Sequence, residues 1–108
     1  MSTKKTLQKA KELLSQGWCK KATHKDGFFC MLGALYTAKH NLLPPTWAAE
    51  ARLGTREECE ILITAIREFR PTVRSVSYIN DLSETTKEDV MHYMDAAIRL
   101  AEKSPKSE

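Results

Sequence analysis

Between Cys19 and Cys30 the chain carries three side chains that could bind a soft metal or act as nucleophile and base, in the pattern Cys19-x4-His24-x5-Cys30. Structural zinc sites pair their ligands more closely than this, so a fourth ligand would have to come from Asp26, His40 or Asp81. The commoner fate of such residues is a small buried apolar side chain for Cys30 and a loop surface position for His24. A cysteine nucleophile is the second chemistry to consider, because the first turn of a helix lowers a thiol pKa and Cys30 is read there. It needs a base. His40 lies about 15 Å along the same helix and His92 falls off the core stripe of its own helix. That leaves His24, oriented by Asn80 or Asp81 in the Cys, His, Asn manner. Cysteine is more often buried and inert than catalytic, so the expectation is a protein that is not an enzyme, with no cofactor and no metal. Cys19, His24 and Cys30 remain the weak metal candidates.

Asn80-Asp81 follows an apolar segment and precedes the last helix. Both side chains hydrogen-bond nearby backbone and tolerate left-handed conformations, which makes a turn or cap the plain reading. A more specific role is also open, in which they reach orphan N–H groups at the start of the central helix or the indole N–H of Trp18. A structural polar network is preferred over a ligand-contacting one.

The elements that must hold these residues are helical. Leu7, Ala10, Leu13 and Leu14 predict an amphipathic helix over 6–16, which Gly17 would end in a left-handed conformation. Trp18-Cys19 opens a polar loop, Lys20 to Gly27, with Asp26-Gly27 as a turn. Residues 28–42 are apolar nearly all round, as a central buried helix would be. Within it Cys30, Gly33, Ala34, Thr37 and Asn41 form a strip of small side chains where another backbone can approach. Pro44-Pro45 stops it, a short helix over 46–53 is expected, and Thr55-x-x-Glu58 reads as the capping box of the next. Val73 to Ile79 is β-branched and aromatic and is read as extended. Thr85-x-x-Glu88 reads as a second capping box, before a core face of Val90, Met91, Met94, Ala97, Ile98 and Ala101. The expected fold is an all-α single-domain bundle of four main helices plus one short helix over 1–103, with 104–108 a disordered tail.

At 108 residues with 42% hydrophobic content the chain has room for one core without staples. Three cysteines and no export-like start lead us to expect reduced thiols and a soluble, cytoplasmic protein, and no apolar run is long enough for a membrane span. The net charge of +3 hides a polarised chain: seven lysines against one glutamate give +6 over 1–25, and the remainder carries −3. Lys4, Lys5, Lys20, Lys21 and Lys25 are the candidate basic surface, either a solvated face or a footprint for an acidic partner. With no arginine among them and acidic residues opening the helix at Arg56, nucleic-acid binding is not expected. Trp47 reads as a core plug before it reads as an exposed patch.

Taken in order, Gly17-Trp18-Cys19, Cys30-x-x-Gly33-Ala34 with Ala38 one turn on, and Asn80-Asp81 before a Thr-rich helix start resemble a family of small uncharacterised proteins of actinobacteria and tailed phages. In that pattern Trp commonly precedes Asn-Asp, where Ile79 stands here. The resemblance implies that Trp18, Cys19, Cys30, Gly33, Asn80 and Asp81 form one neighbourhood, as a ligand-binding or a structural cluster. It supplies no reaction. A phage setting would favour a small accessory protein that binds or inhibits a host protein. The alternative expectation is a small-ligand or metal-binding domain centred on Cys19, Cys30, Asn80 and Asp81. A homodimer is a further expectation to test.

Overall fold

The computed structural model describes residues 2–103 and is mostly helical. The tail expected over 104–108 lies outside the described residues. Helix α1, Thr3–Gln16, starts three residues earlier than the apolar pattern indicates, because Ser2 caps it by accepting the Lys5 N–H at 3.2 Å. Its inner face buries Thr6, Leu7, Ala10 and Leu14. Gly17 ends α1 at φ 174°, extended rather than left-handed.

The next segment differs most from the sequence reading. Phe28 and Phe29 do not begin the central helix; they form strand β2, Phe28–Phe29, antiparallel to β1, His24–Lys25. The turn explains it. Asp26 at φ 54° and Gly27 at φ 83° are both left-handed, the two-residue geometry that matches hairpin twist, and this closes Lys25 onto Phe28. The hairpin is tied back to the end of α1, since the Cys19 N–H donates to the Phe29 carbonyl and the Phe29 N–H to the Gly17 carbonyl.

Helix α2 therefore runs only from Met31 to His40, with Cys30 extended at its N-cap and Asn41 left-handed at its C-cap. Met31 to Leu35 and Ala38 are buried, whereas Leu42 and Leu43 beyond its end are exposed. Helix α3, Ala48–Leu53, is the expected short helix. Helix α4, Arg56–Ile66, buries Glu58, Cys59, Leu62, Ala65 and Ile66. Its expected capping box is absent. The Thr55 hydroxyl donates to the Ala51 carbonyl, one turn back, and Glu58 turns to Lys39 of α2.

A second short helix, α5, Val76–Asp81, replaces the extended segment expected over 73–79. Ser75 caps it by accepting the Tyr78 N–H, and Val76, Ile79 and Asn80 then share a buried face, so tertiary burial overrides β-propensity. Helix α6, Lys87–Glu102, starts one residue later than expected: the capping box is Thr86 with Asp89. Thr85 is buried and spends its hydroxyl on the Ile79 carbonyl at 2.6 Å.

Helix α1 packs against both α2 and α6, α4 packs on α6, and α3 and α5 close on α2. Their buried side chains form one cluster that includes Leu7, Leu14, Met31, Leu35, Leu62, Ile66, Ile79 and Met94. Among the described residues no helix is long and apolar enough to cross a membrane.

Candidate functional site

Asn80 is the organising side chain of the candidate cluster. It is fully buried near the C-terminal end of α5, and every polar atom of its amide is used. Its Oδ1 accepts from the indole Nε1 of Trp18 at 2.7 Å and from the backbone N–H of Met31 at 3.0 Å. Its Nδ2 donates to the Cys19 carbonyl at 3.1 Å and to Asp81 Oδ1 at 3.0 Å. One side chain thus ties α5 to the loop after α1 and to the first turn of α2, where a backbone N–H has no partner inside the helix.

Asp81 extends the network outward. Its Oδ1 also accepts the Lys21 N–H at 2.8 Å, holding Lys21 at φ 64°, a left-handed conformation that a lysine adopts at a cost. The ammonium of Lys20 reaches back to the Leu82 carbonyl beyond α5 and lies 5.4 Å from the centre of the Trp18 ring. Lys20 is therefore committed to the fold rather than to a free basic face. Lys4 faces Glu102 at 3.7 Å and Lys11 pairs with Asp95, so acidic residues of α6 offset part of the positive charge of α1. Lys5, Lys21 and Lys25 remain exposed.

Cys30 and Gly33 belong to the same neighbourhood through a residue the sequence did not single out. Thr23 is buried, its carbonyl accepts the Cys30 N–H at 3.2 Å, and its hydroxyl donates to the Pro45 carbonyl. The same carbonyl oxygen lies 1.9 Å from where a Cβ on Gly33 would sit. That is the close backbone approach for which a glycine is needed. The thiol of Cys30 caps α2, accepting the Gly33 N–H at 3.2 Å.

The burial of Cys30 works against the activated-thiol reading. Cys30 is the N-cap of α2 and not a first-turn residue, and burial pushes its thiol up to about 11 against the Gly33 N–H that favours the thiolate. Desolvation outweighs the backbone N–H groups at the start of α2. Cys19 is also raised, first by burial and then by the negative charge of Asp81. Its Sγ lies 3.6 Å and 3.7 Å from the Ala22 and Phe28 carbonyls, so it completes the loop. His24 is half-buried in β1 and pairs across the hairpin with Phe29. Among the described residues no group of three or more His, Cys, Asp and Glu side chains is placed to hold a metal ion.

The surface grooves lie elsewhere. One is lined by Phe69, Arg70, His92 and Tyr93, a second follows α4, and a third runs along residues 70–84. Trp18, Cys19, Cys30, Asn80 and Asp81 line none of these three. Trp47 is not a core plug: it is 72% exposed at the N-terminus of α3, with Leu42 at 62%, Leu43 at 71% and Leu53 at 67% around it in sequence. A family model described as a family of unknown function (DUF6197) matches residues 1–100 of this chain. No curated protein and no solved structure matches it.

Proposed function

We infer that this chain, which belongs to that family of unknown function, is a small non-enzymatic binding protein that docks on a partner protein through the exposed apolar surface of residues 42–53. The carrying observation is that four large apolar side chains, Leu42, Leu43, Trp47 and Leu53, stand more than 60% exposed within this stretch. A tryptophan left in water contributes little to the monomer, whereas burying it against a partner would contribute on the order of 2–3 kcal/mol. The rest of the molecule supports the same reading. The Asn80 network is spent on tying α5 to the loop after α1 and to the start of α2, and burial raises the thiols of Cys19 and Cys30 beside it.

The phage setting that the resemblance implies would make the partner a host protein and this chain an accessory factor or inhibitor. No specific observation favours the alternative, a ligand-binding or metal-binding domain at Cys19, Cys30, Asn80 and Asp81. The test is a tagged pull-down from host lysate with the wild type, with Leu43→Ser plus Trp47→Ser, and with the exposed Lys5, Lys21 and Lys25 changed to Glu. A partner retained by the lysine variant and lost by the apolar variant supports the reading. A partner lost only by the lysine variant, or no partner, overturns it.

A further inference from the structure

Five of the six arginines of the chain fall between residues 52 and 74. Four of them converge on one open groove of about 660 Å³ along the outer face of α4. Arg52 comes from the end of α3, Arg56 and Arg67 from the two ends of α4, and Arg74 from the loop before α5. The remaining lining includes Leu53, Ile63 and a single acidic residue, Glu60. Among the described residues, none of the four guanidiniums stands within 4.0 Å of a carboxylate. The Nε of Arg67 donates to the Val73 carbonyl at 3.0 Å, which fixes one wall. The lysines of α1 contrast with this arrangement, since Lys4 and Lys11 meet acids of α6.

We propose that this groove receives an acidic segment of the partner protein, with carboxylates against Arg52, Arg56, Arg67 and Arg74 and an apolar side chain against Leu53 and Ile63. The inference deepens the protein-binding reading above and rests on it. Like charges gathered in one concavity repel, and an anionic occupant relieves that repulsion. Arginine suits the task because its planar fork pairs with a carboxylate through two parallel hydrogen bonds and is less strongly hydrated than an ammonium. The groove is continuous with the exposed apolar stretch, because Leu53 belongs to both.

A bare phosphate would also pair with guanidiniums but would leave the apolar lining of Leu53 and Ile63 without a partner, which an acidic segment with an apolar side chain fills. Nor does the lining suit a nucleic-acid strand, since it offers no aromatic ring on which a base could stack.

The test uses the full chain and a fluorescein-labelled decapeptide of alternating Glu and Leu, followed by anisotropy and by the NMR signals of the arginine Nε–H groups. Control probes replace Glu by Lys, replace Leu by Ser, or substitute a single-stranded oligothymidylate of equal length. The Glu/Leu peptide is expected to bind and to shift the arginine signals. Arg56→Glu combined with Arg74→Glu, both at exposed positions, should weaken it by about tenfold or more. Raising salt from about 50 to about 300 mM should weaken it several-fold. Circular dichroism establishes that the variant is folded, and Leu53→Ser, which removes only the apolar contact, should cost a smaller factor. No binding of the Glu/Leu peptide, equal binding of the Lys/Leu peptide, tighter binding of the oligonucleotide, or an unchanged affinity in the double variant overturns the inference. Failure here leaves the protein-binding reading standing if a partner is still lost with Leu43→Ser plus Trp47→Ser, so the two can fail separately.

Discussion

The amide oxygen of Asn80 stands 2.7 Å from the indole Nε1 of Trp18, across 62 residues of sequence. The same oxygen accepts the first free N–H of α2, from Met31. The chain after α1 and the start of α2 therefore share one buried acceptor, and losing it leaves two donors without a partner.

Asn80→Ala should therefore destabilise the protein by about 2–4 kcal/mol, since orphaned buried donors cost more than the bonds themselves contribute. Asn80→Asp keeps the acceptor but loses the donor to the Cys19 carbonyl and sets a carboxylate against Asp81, so it should not rescue stability. Urea denaturation gives the magnitude, and a shift of the Trp18 indole N–H resonance identifies the bond. Wild-type stability in Asn80→Ala would refute this account.

Two glycines should behave differently. A Cβ on Gly33 would lie 1.9 Å from the Thr23 carbonyl oxygen, a backbone atom held by its own contacts, so Gly33→Ala should cost about 3 kcal/mol or more. A Cβ on Gly17 would meet the ring of Phe28 at 2.1 Å, but that side chain is 47% exposed and can swing away. Because Gly17 is extended at φ 174°, alanine there meets no backbone strain, and the expected cost is about 1 kcal/mol or less. Thermal melts of the two variants check the ranking.

The Glu58 side chain is 3% exposed and pairs with Lys39 at 3.1 Å, joining α2 to α4. Lys39→Met strands a buried carboxylate and should destabilise by about 1–3 kcal/mol, below the roughly 3–5 kcal/mol of a fully buried pair because the lysine is 34% exposed. Adding Glu58→Gln should recover part of the loss. A double-mutant cycle with no coupling between the two positions would show that the pair contributes nothing.

All three thiols are raised, Cys30 to about 11 from 9.0. A folded-state pKa above the unfolded one keeps the proton on the native protein longer, so this contribution is complete below about pH 9 and is lost as pH rises toward about 11. The melting temperature should fall across that window, and less steeply in Cys30→Ser. At pH 8 iodoacetamide should alkylate Cys30 more slowly than it alkylates free cysteine. Faster alkylation would restore the activated-thiol reading and remove the burial argument.

Lys21 is held left-handed by Asp81, so Lys21→Gly should relieve about 0.5–1 kcal/mol of backbone strain in the folded state, partly offset by chain entropy. Asp81→Ala should loosen the loop instead, visible as faster hydrogen exchange at the Lys21 amide.

The amino-acid sequence by itself determined the helical class and three of the four long helices to within a few residues, because Leu7, Ala10 and Leu14, then Cys59, Leu62 and Ile66, then Val90, Met94, Ala97 and Ala101 repeat at helical spacing. It also marked Gly33 as a place of close approach, since a glycine inside a helix needs a reason. Local signals misled where a neighbour in space competes for the same group. Thr55 and Thr85 had the spacing of capping residues, but their hydroxyls were claimed by the Ala51 and Ile79 carbonyls. Val73 to Ile79 had strand propensity, but the buried face of Val76, Ile79 and Asn80 favours a helix. The hairpin was legible in Asp26-Gly27 and was outweighed by the apolar run that follows. Two features came only from the tertiary structure: the carbonyl of Thr23 pressed on Gly33, and the meeting of four arginines on one groove. No local pattern encodes either, because each depends on where separate segments of chain come to rest on a common core.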